Sequence, residues 1–215
     1  MKANLTELVF ILDRSGSMIG LEADTIGGYN SMLKEQKETE GEAFVTTVLF
    51  DDRFEVLHDR LNIKGVAPIT EKEYYVRGST ALLDSVGRSI HKIINVQRNT
   101  TEDMKAEKVL FVITTDGYEN ASREYTYEKI KSMIKHQKEK YGWEFIFLGA
   151  NIDAAAEAEK FGIGRDRAAR YHNDREGVEL NFRTVSNATM KFRARKSIPD
   201  DWKKDIDEDY EKRNK

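Results

Sequence analysis

Leu8-Val9-Phe10-Ile11-Leu12-Asp13-Arg14-Ser15-Gly16-Ser17 is the stretch that decides how this chain is read. Leu8 to Leu12 run without a polar break, the pattern of a strand buried on both faces in a parallel sheet. The run ends at Asp13, Ser15 and Ser17, oxygen-bearing side chains at spacing two. An extended or looping backbone points all three the same way, whereas a helix would turn Ser15 away from its neighbours. Ligands of open α/β sheets sit just past the carboxyl ends of central strands. One carboxylate and two hydroxyls at such a place suit a small hard cation, which prefers oxygen and accepts neutral ligands.

Two further stretches make the short pattern specific. Val109 to Ile113 is a second buried-strand run, and it too ends in a polar cluster, Thr114-Thr115-Asp116-Gly117. Between the two runs, Gly78-Ser79-Thr80 precedes a segment, 81–97, in which Leu83, Val86, Ile90 and Ile94 keep helical spacing. In these residues the chain resembles a von Willebrand factor type A domain over roughly residues 5–195. Asp13, Ser15, Ser17, Thr80 and Asp116 match that family's metal-ion-dependent adhesion site in order and spacing. A degenerate site that has lost its metal is the alternative, but none of the five ligands is missing.

The resemblance implies a three-layer, doubly wound, mostly parallel α/β sheet with one antiparallel edge strand. It implies magnesium as cofactor, with manganese or calcium as alternatives. Ser15 and Ser17 would bind the ion directly, Thr80 directly or through water, and Asp13 and Asp116 through waters or by orienting the hydroxyls. The open coordination position would take a Glu or Asp carboxylate of a partner protein. The resemblance is to the compact intracellular type, often bacterial or phage-borne, some of whose members work beside AAA+ ATPases or in stress-resistance clusters. Thr80 also stands where a helix N-cap is expected, so a plain capping role competes with metal contact. The helix that follows would add positive potential on the same side.

Composition bounds the alternatives. The 215 residues suffice for one sizeable domain. Thirty-five basic and thirty-eight acidic residues are interleaved, which argues against a nucleic-acid footprint and an anionic membrane surface. There is no cysteine, hence no disulfide framework or thiol chemistry. No apolar run approaches the ~18 residues of a membrane span, and the first strand starts too early to leave room for a signal peptide. The expectation is therefore a cytoplasmic protein, in which the N-x-[ST] matches at Asn4, Asn99, Asn120 and Asn187 carry no glycan.

Along the chain, residues 19–38 place Ile26, Tyr29 and Leu33 on one helical face, with Gly27-Gly28 allowing close approach to the sheet. Ala43 to Phe50 reads as a strand, Asp51-Asp52 as a tight turn, and Arg53 to Leu57 as an antiparallel edge strand. Residues 58–79 are the least patterned. Helix 126–140, strand Trp143 to Leu148, a short helix from Asp153 to Gly162, a last strand Arg167 to Tyr171 and a long helix with Val178, Phe182, Val185 and Phe192 complete the alternation. The domain is expected to span 1–196, followed by a charged tail, 197–215, read as a solvated helix or frayed end.

Enzyme chemistry is not expected. Phosphatases with an aspartate nucleophile carry a second Asp two residues on, where this chain has Ser15. No phosphate-binding glycine loop or nucleophile elbow is present, and His58, His91, His136 and His172 are scattered. A metal-dependent hydrolase and a purely structural metal remain the competing readings. Tyr29, Tyr74, Tyr75 and Tyr118 are placed in the core or at the rim of the site, and Glu119 and Asn120 in a surface turn. Arg14 is either solvated or turned to a partner's acid.

Overall fold

The computed structural model describes residues 1–195 and 197–214. Strands β1 (Lys2–Asp13), β2 (Glu42–Phe50), β3 (Phe54–Asn62), β4 (Ala106–Thr115), β5 (Glu144–Ala150) and β6 (Ala168–Tyr171) form one sheet. Helices α1 (Glu22–Glu38), α2 (Leu82–Asn99), α3 (Tyr127–Tyr141), α4 (Ala154–Phe161), α5 (Arg175–Arg195) and α6 (Lys204–Arg213) cover it. The strand order is β3-β2-β1-β4-β5-β6. All neighbours are parallel except β2 and β3, so β3 is the antiparallel edge.

The apolar run in β1 explains the layering. Leu8, Phe10 and Leu12 pack under α1, α5 and α6, while Val9 and Ile11 pack under α2, α3 and α4. All five are at most 1% exposed. Burying each contributes roughly 1.5–3 kcal/mol, which makes this strand a large share of the core. The chain winds from β1 outward to β3, then returns to β4 and winds the other way to β6. The carboxyl ends of β1 and β4 therefore diverge at a switch point, and register sets Leu12 against Thr114 there.

Three local expectations change. The edge strand runs on past Leu57 to Asn62, and its pairing with β2 shifts register near Thr47, which breaks the alternation that would have marked the added residues. Gly28 makes its close approach to α5 rather than to the sheet, since a Cβ there would lie 2.4 Å from the Phe182 ring. The tail is a helix whose polar side is exposed, as expected, but one stripe of it is docked. Ile198, Trp202 and Ile206 are buried in the same core as α1 and α5, and the Trp202 indole donates to the Asp166 carbonyl at 2.7 Å. Asp205, Asp207 and Asp209 lie along α6. The boundary expected at residue 196 falls outside the described residues, as does residue 215. Among the described residues no helix is long and apolar enough to cross a membrane.

Candidate functional site

β1 ends on Asp13, which is 1% exposed. Its Oδ1 accepts the Ser15 N–H at 2.7 Å, and its Oδ2 accepts the Thr115 hydroxyl at 2.6 Å. The first bond folds the loop back on its own strand; the second ties β1 to β4. Ser15 is extended, with φ −68° and ψ 170°, and a single 3-10 turn, Gly16–Met18, follows. This backbone brings the Ser15 and Ser17 hydroxyls to 3.2 Å from each other. The Ser17 hydroxyl donates to Asp116 Oδ1 at 2.5 Å, and Thr80 Oγ1 donates to Ser15 Oγ at 3.1 Å. Asp13, Ser15, Ser17, Thr80 and Asp116 are thus gathered at the switch point, from three loops. Ser17 is exposed whereas the other four are buried, so the cluster opens to solvent on the Ser17 side.

The Thr80 loop is fixed from two directions. Gly78 has φ +68°, and a Cβ there would lie 2.2 Å from Asp52 Oδ1, so only glycine fits. Its carbonyl accepts the Gly16 N–H at 3.2 Å, pinning this loop to the first. From the other side, the Thr80 N–H donates to Asn120 Oδ1 at 2.9 Å, and the Asn120 N–H donates to the Thr80 carbonyl at 3.0 Å.

Thr80 does not cap α2, because Ala81 occupies that position. The cap comes from 36 residues away, where Glu119 Oε2 accepts the Leu83 N–H at 2.8 Å. The Ser122 hydroxyl accepts the Asp84 N–H at 2.9 Å. Glu119 and Asn120 thus sit at the surface as expected, and from there they brace the site. Glu119 also brings a carboxylate to the helix end expected to supply positive potential, offsetting part of that field.

Arg14 is neither solvated nor turned outward. It is fully buried, with Nε 3.1 Å from Asp51, Nη2 2.6 Å from Glu55 and Nη1 donating to the Glu73 carbonyl at 3.2 Å. Arg77 shares Asp51 at 2.5 Å. The arginine within the motif thus anchors the loop on the β2–β3 turn. Tyr74 is in the core, yet its hydroxyl donates to the Asp13 carbonyl at 2.5 Å. Tyr29 is in the core against Thr47, while Tyr75 and Tyr118 are exposed.

A further contact was not foreseen: Asn173, between β6 and α5, donates from Nδ2 to Asp116 Oδ2 at 3.3 Å. The only signal in the sequence was a polar Asn-Asp pair ahead of a helix.

Electrostatically the site is unbalanced. Burial pushes the Asp13 carboxyl up to about 6, although bonds from Thr115 and Ser15 pull it back. Burial raises Asp116 as well, against bonds from Ser17 and Asn173. Neither carboxylate pairs with a basic side chain among the described residues. No group of three His, Cys, Asp or Glu side chains able to hold a metal occurs among the described residues. This cluster instead combines two carboxylates with three hydroxyls, an all-oxygen set suited to a hard cation.

No protein-family model and no curated protein matches the chain. Solved structures do. A von Willebrand factor type A protein from Catenulispora acidiphila aligns with TM-score 0.58 at 16% identity, covering 86% of this chain and 42% of that one. The ArnB paralog VWA2 from Sulfolobus acidocaldarius aligns at 0.52 and 15%, covering 89% and 45%. Proximal thread matrix protein 1 from the mussel byssus, solved with zinc in its metal-ion-dependent adhesion site, aligns at 0.54 and 14%, covering 86% and 46%. This chain spans less than half the length of each of the three. At these identities the likeness concerns the backbone, and with the strand order above it shows that the chain has the von Willebrand factor type A fold.

Proposed function

We propose that the chain is a metal-dependent protein-interaction module that recognises a Glu or Asp of a partner. The observation that carries the reading is the pair of buried carboxylates without basic partners among the described residues, beside a chain of three hydroxyls, Thr80 to Ser15 to Ser17, that ends on Asp116. A divalent cation would offset that charge. Ser15, Ser17 and Thr80 would hold it, with Asp13 and Asp116 orienting them. Magnesium is the first choice, with manganese or calcium as alternatives, since all accept oxygen donors. The ion, when bound, supplies an electrophilic centre for an incoming carboxylate. The zinc-occupied site of the mussel protein supports a divalent ion at this place in the fold.

We read the site as binding rather than catalytic. Both oxygens of Asp13 already accept hydrogen bonds and the residue is 1% exposed, so it is not presented to attack a substrate. The partner class is carried over from the family resemblance: a protein presenting a Glu or Asp, with a cytoplasmic AAA+ ATPase or stress-resistance component as candidate, while the interleaved charges speak against nucleic acid and membrane.

Titration calorimetry with magnesium, for wild type and Ser17→Ala, tests the metal, and a short Glu-containing peptide tests the acid. Binding of the peptide in magnesium and its loss in EDTA is the expected result. A fully folded protein that binds magnesium but no acidic peptide points to a structural ion. Turnover of p-nitrophenyl phosphate with magnesium points to the hydrolase reading.

A further inference from the structure

We infer that α6 is a clamp that positions Asn173 on Asp116, so that the ion affinity of the site is set in part by the last helix of the chain. The inference rests on the metal reading above. β6 ends at Tyr171, and His172-Asn173-Asp174 leads directly into α5. Each of these three residues has a fixed neighbour. Asn173 holds Asp116 Oδ2 at 3.3 Å, leaving Oδ1 for Ser17. The His172 ring stacks on Tyr210 of α6, with centroids 4.7 Å apart and planes at 19°. Asp174 pairs with Arg213 of α6 and, through Oδ1, accepts the Gly177 N–H at 2.9 Å, closing the first turn of α5.

The loop holds itself only through Asp174 and Gly177. Among the described residues, His172 Nε2 and Asn173 Oδ1 are buried without a hydrogen-bond partner, so packing against neighbouring elements has to hold these two side chains. The loop is also tightly folded, since a Cβ on Gly177 would lie 2.0 Å from the His172 carbonyl oxygen. α6 is the element placed to supply that packing. The ring of Tyr210 additionally faces the Arg170 guanidinium at 4.7 Å. The helix itself is moored independently of the loop. Lys203 Nζ donates to the Ala168 carbonyl at 2.8 Å, the Trp202 indole to Asp166, and Ile206 is buried. Partners that orient metal-binding side chains typically change metal affinity by 10–100-fold, and Asn173 acts in this way through Asp116, which holds the Ser17 hydroxyl. Asn173 is therefore a positioning residue, and Tyr210 and Arg213 act through it.

The experiment is titration calorimetry with magnesium and with manganese, beside melting curves for each variant. Tyr210→Ala combined with Arg213→Ala should weaken ion binding about tenfold, while Trp202 and Ile206 keep α6 in place. Tyr210→Phe keeps the ring and should bind like wild type. Lys212→Ala removes only a pair with Glu208 and should also bind like wild type. Asn173→Ala should reproduce the loss on its own, and adding the α6 substitutions to it should cost nothing more. Folded α6 variants with unchanged affinity overturn the clamp, as do losses that add to that of Asn173→Ala. If the α6 double variant does not fold, Asn173→Ala and Tyr210→Phe decide the matter: wild-type affinity in the first, or lost affinity in the second, refutes it. Absence of any ion binding by the wild type instead refutes the metal reading itself.

Discussion

Asp13→Asn separates two demands on one residue. Burial raises the Asp13 carboxyl from 3.8 to about 6, so the native state holds its proton more tightly than the unfolded chain does. The cost of ionising it is absent below the unfolded value and complete above the native one. At about 1.4 kcal/mol per tenfold change in proton affinity, that cost is roughly 3 kcal/mol at neutral pH without an ion. Asn is nearly the same shape. Its Oδ1 can still accept the Ser15 N–H, and the Thr115 hydroxyl can rotate to accept from the amide. In EDTA at pH 8 the variant should therefore be more stable than wild type by about 1–3 kcal/mol, the advantage fading towards pH 4. Magnesium should reverse the order. Wild type gains about 2.7 kcal/mol at a hundredfold excess over the dissociation constant, and the variant gains almost nothing. Urea unfolding in EDTA and in magnesium, at both pH values, measures all four stabilities. A variant less stable than wild type in EDTA at pH 8 would mean that hydrogen bonds alone satisfy the carboxylate. An undiminished magnesium gain in the variant would place the ion elsewhere.

The other predictions concern the frame of the site. Glu7 on β1 is buried beside Arg60 at 2.9 Å, yet burial outweighs the pairing and pushes its carboxyl up to about 7. Stability attributable to Glu7 should therefore fall as pH rises from 4.5 to about 7. Glu7→Gln should flatten that slope, and a slope unchanged in denaturant titrations would show that Glu7 is not its source. Trp202→Ala should cost about 3–5 kcal/mol, as for a core aromatic; a loss below 1 kcal/mol in urea unfolding would mean that α6 is not docked in solution. Gly28→Ala should cost about 1–3 kcal/mol through overpacking against Phe182. Adding Phe182→Leu should recover part of it, and strict additivity of the two in urea unfolding would refute the contact.

The parts legible in the sequence are those whose cause is local. Leu8 to Leu12 is an unbroken apolar run because β1 is covered on both faces, and the five oxygen-bearing residues proposed as the site stand at element ends where loops begin. Asp153 and Gly162 likewise bracket α4 by their own backbone chemistry, the one accepting the Ala156 N–H and the other at φ +82°. What stayed hidden depends on partners far along the chain. Arg14 looked like a surface residue because its carboxylates, Asp51 and Glu55, lie 37 and 41 residues away. Glu119 gave no sign of capping α2 because a cap is sought next to its helix. The tail misled in the opposite way: Ile198, Trp202 and Ile206 recur every four residues, but the charges between them mask a buried stripe.

These hidden contacts share a direction. Arg14 ties the first loop to the β2–β3 turn, Glu119 and Asn120 tie the third loop to the second, and Asn173 ties Asp116 to the start of α5. The five proposed ligand residues bond largely to one another and to residues next to them in the three loops. Their position is set by polar residues that a search for ligands passes over. This division has a physical basis. Hydroxyls that are to meet a cation must keep lone pairs unspent, so apart from the two bonds that Asp13 accepts, the bonds that fix the loops come from neighbours. Substitutions at Arg14, Glu119 or Asn173 should consequently weaken ion binding while leaving every ligand in the sequence intact.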